Sequence, residues 1–195
     1  MNFLAHIYLS GNDKDLILGN FIADMVKGKQ IERYEERVIG GIKMHRIIDK
    51  YTDEHPVVSE SKKRLRKNFS HYSPVIADMY YDHFLAKNWE NYSEVQINDF
   101  LKFAYNVLLK NYLILPSRGR RILPFMVANN WLGNYADFNN LQRNFEGLAR
   151  RTSFNSGMEK AVDELKLNYN DYYAEFKEFF PQLTRFVKEQ IIIIK

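Results

Sequence analysis

The stretch GGIKMHRIIDKYTDEH, residues 40–55, combines a helical pattern with polar residues where apolar ones would pack more easily. Met44 and Ile48 recur at the four-residue spacing of one helix side, which we expect to face a core. His45 and Asp49 are also four residues apart and lie along the seam between this side and a charged side. A residue on such a seam is half supported by the core and half accessible, which is typical of the lining of a groove.

The same helical pattern extends over nearly the whole sequence. Eight segments are predicted to be helices or pairs of helices: 14–27, 33–53, 57–68, 73–90, 95–113, 119–132, 136–151 and 157–194. Pro181 is expected to break or kink the last of them near Phe180. We find no internal repeat, low-complexity tract or linker. The sequence therefore predicts a single all-α domain over residues 1–195, folded as a helical bundle.

The composition limits the possible classes of protein. With 46% hydrophobic and 15% aromatic residues in a chain of 195, a packed core is expected. Cysteine is absent, which excludes disulfides and thiolate metal sites and fits a reducing compartment. No secretory leader is visible, and no apolar run approaches the roughly 20 residues of a membrane span. We therefore expect a cytoplasmic protein whose net charge of +4 favours an acidic partner.

Polar residues also interrupt the almost wholly apolar stretch LILGNFIADMV at 16–26, which predicts a deeply buried helix. Asn20 and Asp24 are its polar side chains, and they are neighbours along one side. A buried carboxylate is unfavourable by several kcal/mol unless it is paired. We therefore expect Asp24 to have a cation, a metal ion or several hydrogen-bond donors beside it.

Two further segments carry unexpected polar residues. In IADMYYDHFLAKNW at 76–89, Asp82 shares a stripe with large apolar residues. His83 falls instead on the side of Lys87, so it is the weaker candidate for a buried role. His6 has apolar neighbours on both sides in FLAHIYL.

These residues come from four separate segments: His6, Asp24, His45, Asp49 and Asp82. All-α scaffolds build metal sites when several helices converge imidazole and carboxylate groups on one point. Ligands of this kind, without sulfur, suit manganese, iron, magnesium or zinc. Such an ion would bind a phosphate oxygen and lower the pKa of a bound water molecule. Taken singly, each residue could instead be a satisfied core histidine or half of an internal ion pair.

The sequence resembles the acyl carrier protein phosphodiesterase family over most of its length. The matching blocks are NFLAH at 2–6, GNFIAD at 19–24, MHRIID at 44–49 and YDHFL at 81–85, with weaker continuation in NNWLGNY at 129–135 and GLARR at 147–151. The resemblance implies a divergent relative of the all-α HD-domain phosphohydrolases. It also implies hydrolysis of the phosphodiester between 4′-phosphopantetheine and a serine of holo-acyl carrier protein. Members need a divalent cation, typically manganese.

Carried over by position, the resemblance places four residues at or beside the metal: Asp24, His45, Asp49 and Asp82. His6 would be a further ligand or a proton donor to the leaving serine oxygen. His83 would hold a phosphate or orient a carboxylate. The sequence departs from the adjacent His-Asp signature of the wider superfamily, because Arg46 follows His45. The individual roles within the set therefore stay open.

Basic residues suggest how an acidic carrier protein would bind, since complementary charge steers encounter. They lie at Arg46, in KKRLRK (Lys62, Lys63, Arg64 and Arg66) and in RGRR (Arg118, Arg120 and Arg121). Each stretch could equally be a solvated face, and Arg46 lies on a side that looks solvent-facing. Nucleic acid would compete for the same charges, but no nucleic-acid-binding motif is present.

The leading hypothesis is thus a metal-dependent phosphodiesterase acting on holo-acyl carrier protein. One alternative is an enzyme of the same class that cleaves a nucleotide or another small phosphodiester. The other is a helical adaptor without enzymatic activity, whose unusual polar residues are internal ion pairs.

Overall fold

The computed structural model describes residues 1–194 of the chain, with side chains through Ile191. Ten α-helices account for most of them: α1 Phe3–Leu9, α2 Lys14–Ile22, α3 Glu36–Glu54, α4 Pro56–Phe69, α5 Ser73–Lys87, α6 Ile97–Lys110, α7 Ser117–Ala128, α8 Phe138–Ala149, α9 Ala161–Leu167 and α10 Tyr169–Ile194. Short 3₁₀ turns connect several of them, and residues 1–194 contain no strand. The predicted all-α fold is confirmed.

The helix bounds differ from the predicted ones at two informative places. α1 forms where no helix was predicted, and Asn2 caps it by accepting a hydrogen bond from the Phe3 amide. α2 ends at Ile22, and the chain then turns through the 3₁₀ helix Ala23–Met25. Asp24 therefore leaves the buried side of the preceding helix.

The last helix does not break at Pro181, because α10 is continuous from Tyr169 to Ile194. Proline removes one backbone donor and leaves the carbonyl of Lys177 without its helical partner. Lys177 and Pro181 are both exposed, so water can reach this carbonyl. The apolar run IIIIK at 191–195 extends the helix as expected through Ile194, and Lys195 lies outside the described residues.

One hydrophobic core joins all ten helices. Each contributes at least one buried side chain, including Leu4, Ile17, Ile48, Leu65, Tyr80, Leu101, Leu123, Leu141, Leu165 and Phe176. α3 and α5 lie near its centre, with α10 packed against both. None of the described helices combines the length and apolar character needed to cross a membrane.

α2 and α3 approach each other more closely than side chains would ordinarily permit. Their contact is made by Gly19 on α2 and Gly41 on α3, where the two backbones meet. A Cβ atom on Gly41 would lie 2.8 Å from the Leu16 carbonyl oxygen and 2.9 Å from the Gly19 Cα atom. Both contacts are with backbone, which cannot rotate away. Glycine is therefore required here for space, and the contact fixes how α2 and α3 cross.

We expect Gly41→Ala to lower the free energy of unfolding by about 2 kcal/mol or more, because overpacking of a rigid contact strains the backbone. Thermal unfolding should show a fall in Tm of several degrees. Gly147→Ala on α8 is the matched control, since a Cβ atom there meets nothing within 4 Å. It should leave stability unchanged or slightly higher. Equal Tm values for Gly41→Ala and the wild type would contradict a space requirement at this crossing.

Candidate metal centre

His6, His45 and Asp49 form a compact cluster where α1 meets α3. The two imidazole rings are stacked, with centroids 3.8 Å apart and planes inclined by 16°. Asp49 bridges them: Oδ1 lies 3.0 Å from His6 Nε2, and Oδ2 lies 3.1 Å from His45 Nε2. One ligand atom from each residue lies within 4.8 Å of the others. The arrangement has the residue types and the spacing to hold a metal ion.

Local structure explains how the three side chains meet. His45 and Asp49 are one turn apart on α3, so they project from the same side of that helix. His6 comes from α1, which Asp82 on α5 anchors. The two carboxylate oxygens of Asp82 accept hydrogen bonds from the Leu4 and Ala5 amides at 2.8 and 3.2 Å.

Asp82 was predicted to lie at or beside the metal, and the structure places it beneath the first turn of α1. Both of its oxygens are engaged by backbone donors, and the residue is fully buried. Burial raises the pKa of Asp82 to about 7, against the opposing effect of these donors. We therefore assign Asp82 to the positioning of α1, and through it of His6.

The orientation of His6 is set by Ser10 and Asn20. Ser10 Oγ donates to the His6 carbonyl at 2.9 Å and accepts from Asn20 Nδ2 at 2.8 Å. The amide of Asn20 is thereby oriented so that its Oδ1 faces His6 Nδ1 at 3.3 Å. His6 Nδ1 is then the protonated nitrogen, and Nε2 faces Asp49. The apolar setting of Asn20 was the sequence signal for this role.

The first residue of the chain is held between α3 and α5. Its α-amino group lies 3.1 Å from Asp78 Oδ1 and 3.5 Å from Asp49 Oδ1. The carbonyl oxygen of Met1 lies 3.1 Å from His6 Nε2. Asp78 lies on α5, one turn before Asp82.

The electrostatics of the cluster follow from burial and from its bridging carboxylate. Burial and the neighbouring His45 lower the pKa of His6 to about 4. Burial acts in the same direction on His45, but Asp24 and Asp49 outweigh it and raise its pKa to about 9. Burial would raise the pKa of Asp49, yet His45 and the α-amino group of Met1 hold it well below its usual range. Asp49 is thus an anion next to a neutral His6.

Asp24 reaches the cluster from its outer side. Its Oδ1 lies 3.3 Å from His45 Nε2, as expected for a residue near the site. The side chain is 68% exposed, however, so the expectation of a deeply buried carboxylate is wrong. The reason is the end of α2 at Ile22, which turns Asp24 toward solvent.

His83 is fully buried, so the prediction that it was the weaker candidate for a buried position is wrong. Its Nδ1 donates to the Tyr135 carbonyl at 2.8 Å, and its ring stacks on Phe138 with centroids 4.9 Å apart. His83 lies on α5 and packs against the segment that leads into α8. This segment covers the side of α5 that the sequence pattern marked as polar.

The first basic stretch is largely tied into the bundle. Lys62 is buried and pairs with Asp53 at 2.6 Å. Arg64 forms a two-pronged ion pair with Glu175, at 2.7 and 3.0 Å. Lys62 and Arg64 are therefore not available to a partner, and the prediction that they bind the carrier protein is wrong. Three others from the predicted set are exposed: Arg46, Lys63 and Arg66.

The second basic stretch lies at a cleft that leads toward the cluster. A cavity of about 310 Å³ has His6, His45, Asp24 and Arg118 among its lining residues. Arg118 also lines a neighbouring cleft of about 620 Å³, together with Arg33, Arg120 and Arg121. Arg118 thus borders both the cavity beside the cluster and a strongly basic surface.

The fold and the cluster define an all-α protein with a candidate histidine and carboxylate metal centre. The sequence profile of the acyl carrier protein phosphodiesterase family matches residues 1–183. The chain therefore belongs to the acyl carrier protein phosphodiesterase family.

Bacterial proteins named acyl carrier protein phosphodiesterase are similar over almost the full chain. The one from Photorhabdus laumondii subsp. laumondii is 30% identical over 184 residues, 94% of this chain and 93% of the relative. The one from Enterobacter sp. (strain 638) is 30% identical, covering 94% and 95%. The one from Yersinia pestis is 29% identical over 186 residues, covering 95% and 96%. No solved structure gives a significant match, so the expected likeness to the HD-domain fold stays a prediction.

Acid should destabilise the protein partly through His83. Burial lowers its pKa to about 4, so between that value and the ordinary 6.5 the unfolded chain binds a proton that the folded protein does not. Stability therefore falls as the pH falls, by about 2 kcal/mol at pH 5 from this residue. His83→Asn, which retains a donor for the Tyr135 carbonyl, should lose less stability between pH 7 and pH 5 in urea unfolding. The exposed His71, changed to Asn, is the control, and equal losses for both variants would contradict the assignment.

Proposed function

We propose that this protein is a metal-dependent phosphodiesterase that releases 4′-phosphopantetheine from holo-acyl carrier protein. The single observation that carries the proposal is the cluster of His6, His45 and Asp49, whose two histidines line a cavity, in a chain of this family. The names of the relatives support the choice of substrate. The reaction breaks the bond between phosphorus and the serine oxygen, adds water and leaves apo-carrier.

The donor set around His6 fits a cation. A neutral imidazole carries one N–H group, and Asn20 receives it at Nδ1. The lone pair on Nε2 then faces the Asp49 carboxylate at 3.0 Å and the Met1 carbonyl oxygen at 3.1 Å. Three electron-rich atoms facing one another need a positive charge beside them; the α-amino group of Met1, 3.5 Å from Asp49 Oδ1, supplies one, and a bound cation would add to it.

His45 gives a second, independent indication. Its Nε2 lies within 3.3 Å of oxygens from Asp24 and Asp49, yet neither contact has the angles of a hydrogen bond. His45 carries a proton between these two carboxylates, and a metal ion bound there would displace that proton, because only the neutral imidazole is a ligand. We therefore propose His6, His45 and Asp49 as ligands, with Asp24 as a further ligand on the accessible side.

Manganese suits these nitrogen and oxygen donors, as do magnesium, iron and zinc. When bound, such an ion supplies a Lewis acid for a phosphate oxygen and lowers the pKa of a water molecule.

The residues around the ligands orient the site. Asn20 holds His6 in one tautomer, and Asp82 fixes the helix that carries it. Because His6 is buried and has a pKa of about 4, we assign it a ligand role rather than proton donation to the serine oxygen. His83 donates to the Tyr135 carbonyl, which favours a structural role over phosphate binding.

We propose that an acidic carrier protein binds at the basic cleft. This cleft is lined by Arg33, Arg118, Arg120 and Arg121. These four side chains are exposed, and among the described residues none has a carboxylate partner within ion-pair distance. Arg118 joins this cleft to the cavity above the cluster. A transient complex here would deliver the carrier serine to the ligands, steered by charge. The cytoplasmic location stays a prediction.

Purified protein with Mn²⁺ should remove the prosthetic group from holo-carrier, seen as the corresponding mass loss of the carrier. EDTA should abolish turnover and added Mn²⁺ restore it. Turnover should also fall with added salt, because the proposed docking is electrostatic. A nucleotide panel run in parallel tests the alternative enzyme. Turnover of nucleotides alone would refute the proposed substrate, and carrier binding without any turnover would favour the adaptor.

Asp49→Asn should weaken Mn²⁺ binding at least about tenfold, because it replaces the carboxylate that bridges the two imidazoles. Its effect on folding should be smaller, because the side chain lies at the accessible edge of α3. Isothermal titration with Mn²⁺ and thermal unfolding measure the two effects. Glu54→Gln, on the same helix and exposed, makes the same chemical change away from the cluster. Unfolding of Asp49→Asn with unaltered Mn²⁺ affinity in the folded fraction would argue against a ligand role.

A further inference from the structure

Large apolar side chains are concentrated on the surface at the corner where α6 is followed by α7. Among the described residues eight such side chains are exposed, and four of them lie within residues 109–125: Leu109, Leu113, Ile114 and Phe125. Leu113 is 83% exposed and Phe125 is 69% exposed, so neither is merely the edge of the core. Single exposed apolar residues are ordinary, but a group of them marks an interaction surface.

This corner is tied to the rest of the fold. It contains the 3₁₀ turn Tyr112–Ile114, which follows α6. The Tyr34 hydroxyl donates to the Ile114 carbonyl at 3.2 Å, and the Tyr112 hydroxyl donates to the Arg120 carbonyl at 3.2 Å. The turn is therefore held against α7. The exposure of its apolar side chains does not result from a loose loop.

The charge around these apolar side chains has one sign. The sequence contains no carboxylate residue between Asp99 and Asp137, a run that includes five lysine and arginine residues. Arg118, Arg121 and Phe125 follow one another at spacings of three and four residues on α7, so they share one side of that helix. The adjoining basic cleft has no carboxylate among its described lining residues. The corner thus combines exposed apolar groups with positive charge.

This combination fits the surface of a membrane that contains anionic lipids. Lipid phosphates attract basic side chains, and the boundary between headgroups and acyl chains accepts apolar ones. A partner protein would need a matching pocket for a side chain as exposed as Leu113, whereas a bilayer needs none. A second copy of this chain would bring arginines against arginines, which is unfavourable. Nucleic acid would attract the arginines, but leucine and isoleucine offer its bases no stacking surface.

We propose that the α6–α7 corner, formed by Leu113, Ile114, Arg118, Arg121 and Phe125, binds reversibly to anionic membrane surfaces. The three apolar side chains enter the headgroup boundary, and the two arginines pair with lipid phosphates. So few apolar groups bind weakly alone, so the charge is required as well and added salt weakens the association. Arg118 and Arg121 also line the basic cleft, so a membrane and a carrier protein would compete for them.

Co-sedimentation with vesicles tests this binding. The protein should sediment with vesicles of equal parts phosphatidylcholine and phosphatidylglycerol, and not with phosphatidylcholine alone. The double variant Leu113→Ser, Phe125→Ser keeps every charge and should bind the anionic vesicles about tenfold more weakly. Both side chains are exposed, so this variant should fold as the wild type does. Leu167→Ser is the matched control, because Leu167 is 80% exposed on α9, outside the corner, and it should bind as the wild type.

Fluorescence gives a second measurement of the same contact. In Leu113→Trp, the new indole lies at an exposed position of the turn and should leave water when the protein binds. Its emission should therefore shift to shorter wavelength on addition of anionic vesicles, relative to the wild type treated in the same way. Unchanged emission of Leu113→Trp on bound vesicles would overturn insertion of the turn.

The outcomes separate this inference from the proposed function, because vesicle binding is measured without the carrier. Absence of wild-type sedimentation with anionic vesicles would overturn the membrane proposal, as would unchanged affinity in the double variant. If the double variant kept its vesicle affinity but lost turnover of holo-carrier, the exposed side chains would belong to the carrier interface and the membrane proposal would be wrong. Failure of the wild type to process holo-carrier would overturn only the proposed function.

Discussion

The close contact between α2 and α3 is the constraint on which the rest of the structure depends. Gly19 and Gly41 let the two backbones touch, and a side chain at either position would separate them. This contact fixes the end of α2, and so Asp24, relative to the residues of α3. Because the two helices cross against backbone rather than against flexible side chains, their geometry is rigid. A rigid support of this kind is what a multi-helix ligand cluster requires.

The carboxylate of Asp49 sets the charges of the histidine cluster. Its carboxylate touches imidazoles from α1 and α3, which stack too closely to carry two positive charges. The result is one neutral and one cationic histidine around an anion, with Asp24 adding a second negative charge outside. The α-amino group of Met1, 3.5 Å from Asp49 Oδ1, offsets one of these negative charges, so a divalent cation would bind by displacing the His45 proton. Ser10 and Asn20, both buried, hold His6 in place through hydrogen bonds, so the core orients this side chain.

The cavity connects the two proposed binding functions. It shares Arg118 with the arginine-rich cleft. Its lining also includes residues from the second half of the chain, such as Trp131 and Asn144. A carrier protein with a long prosthetic arm needs a surface for the protein, a groove for the arm and a reaction centre between them. The structure provides candidates for the surface and for the reaction centre, and the cavity borders both.

Local sequence pattern by itself determined the all-α fold and the anomalous polar positions, because helical periodicity and neighbours within one turn are encoded along the chain. It placed His45 and Asp49 together for that reason. The tertiary structure alone decided that His6 joins them, that Asp82 instead anchors α1, and that His83 is buried. Those outcomes depend on which helix covers which side, and such contacts join residues distant in sequence whose packing no periodic pattern specifies.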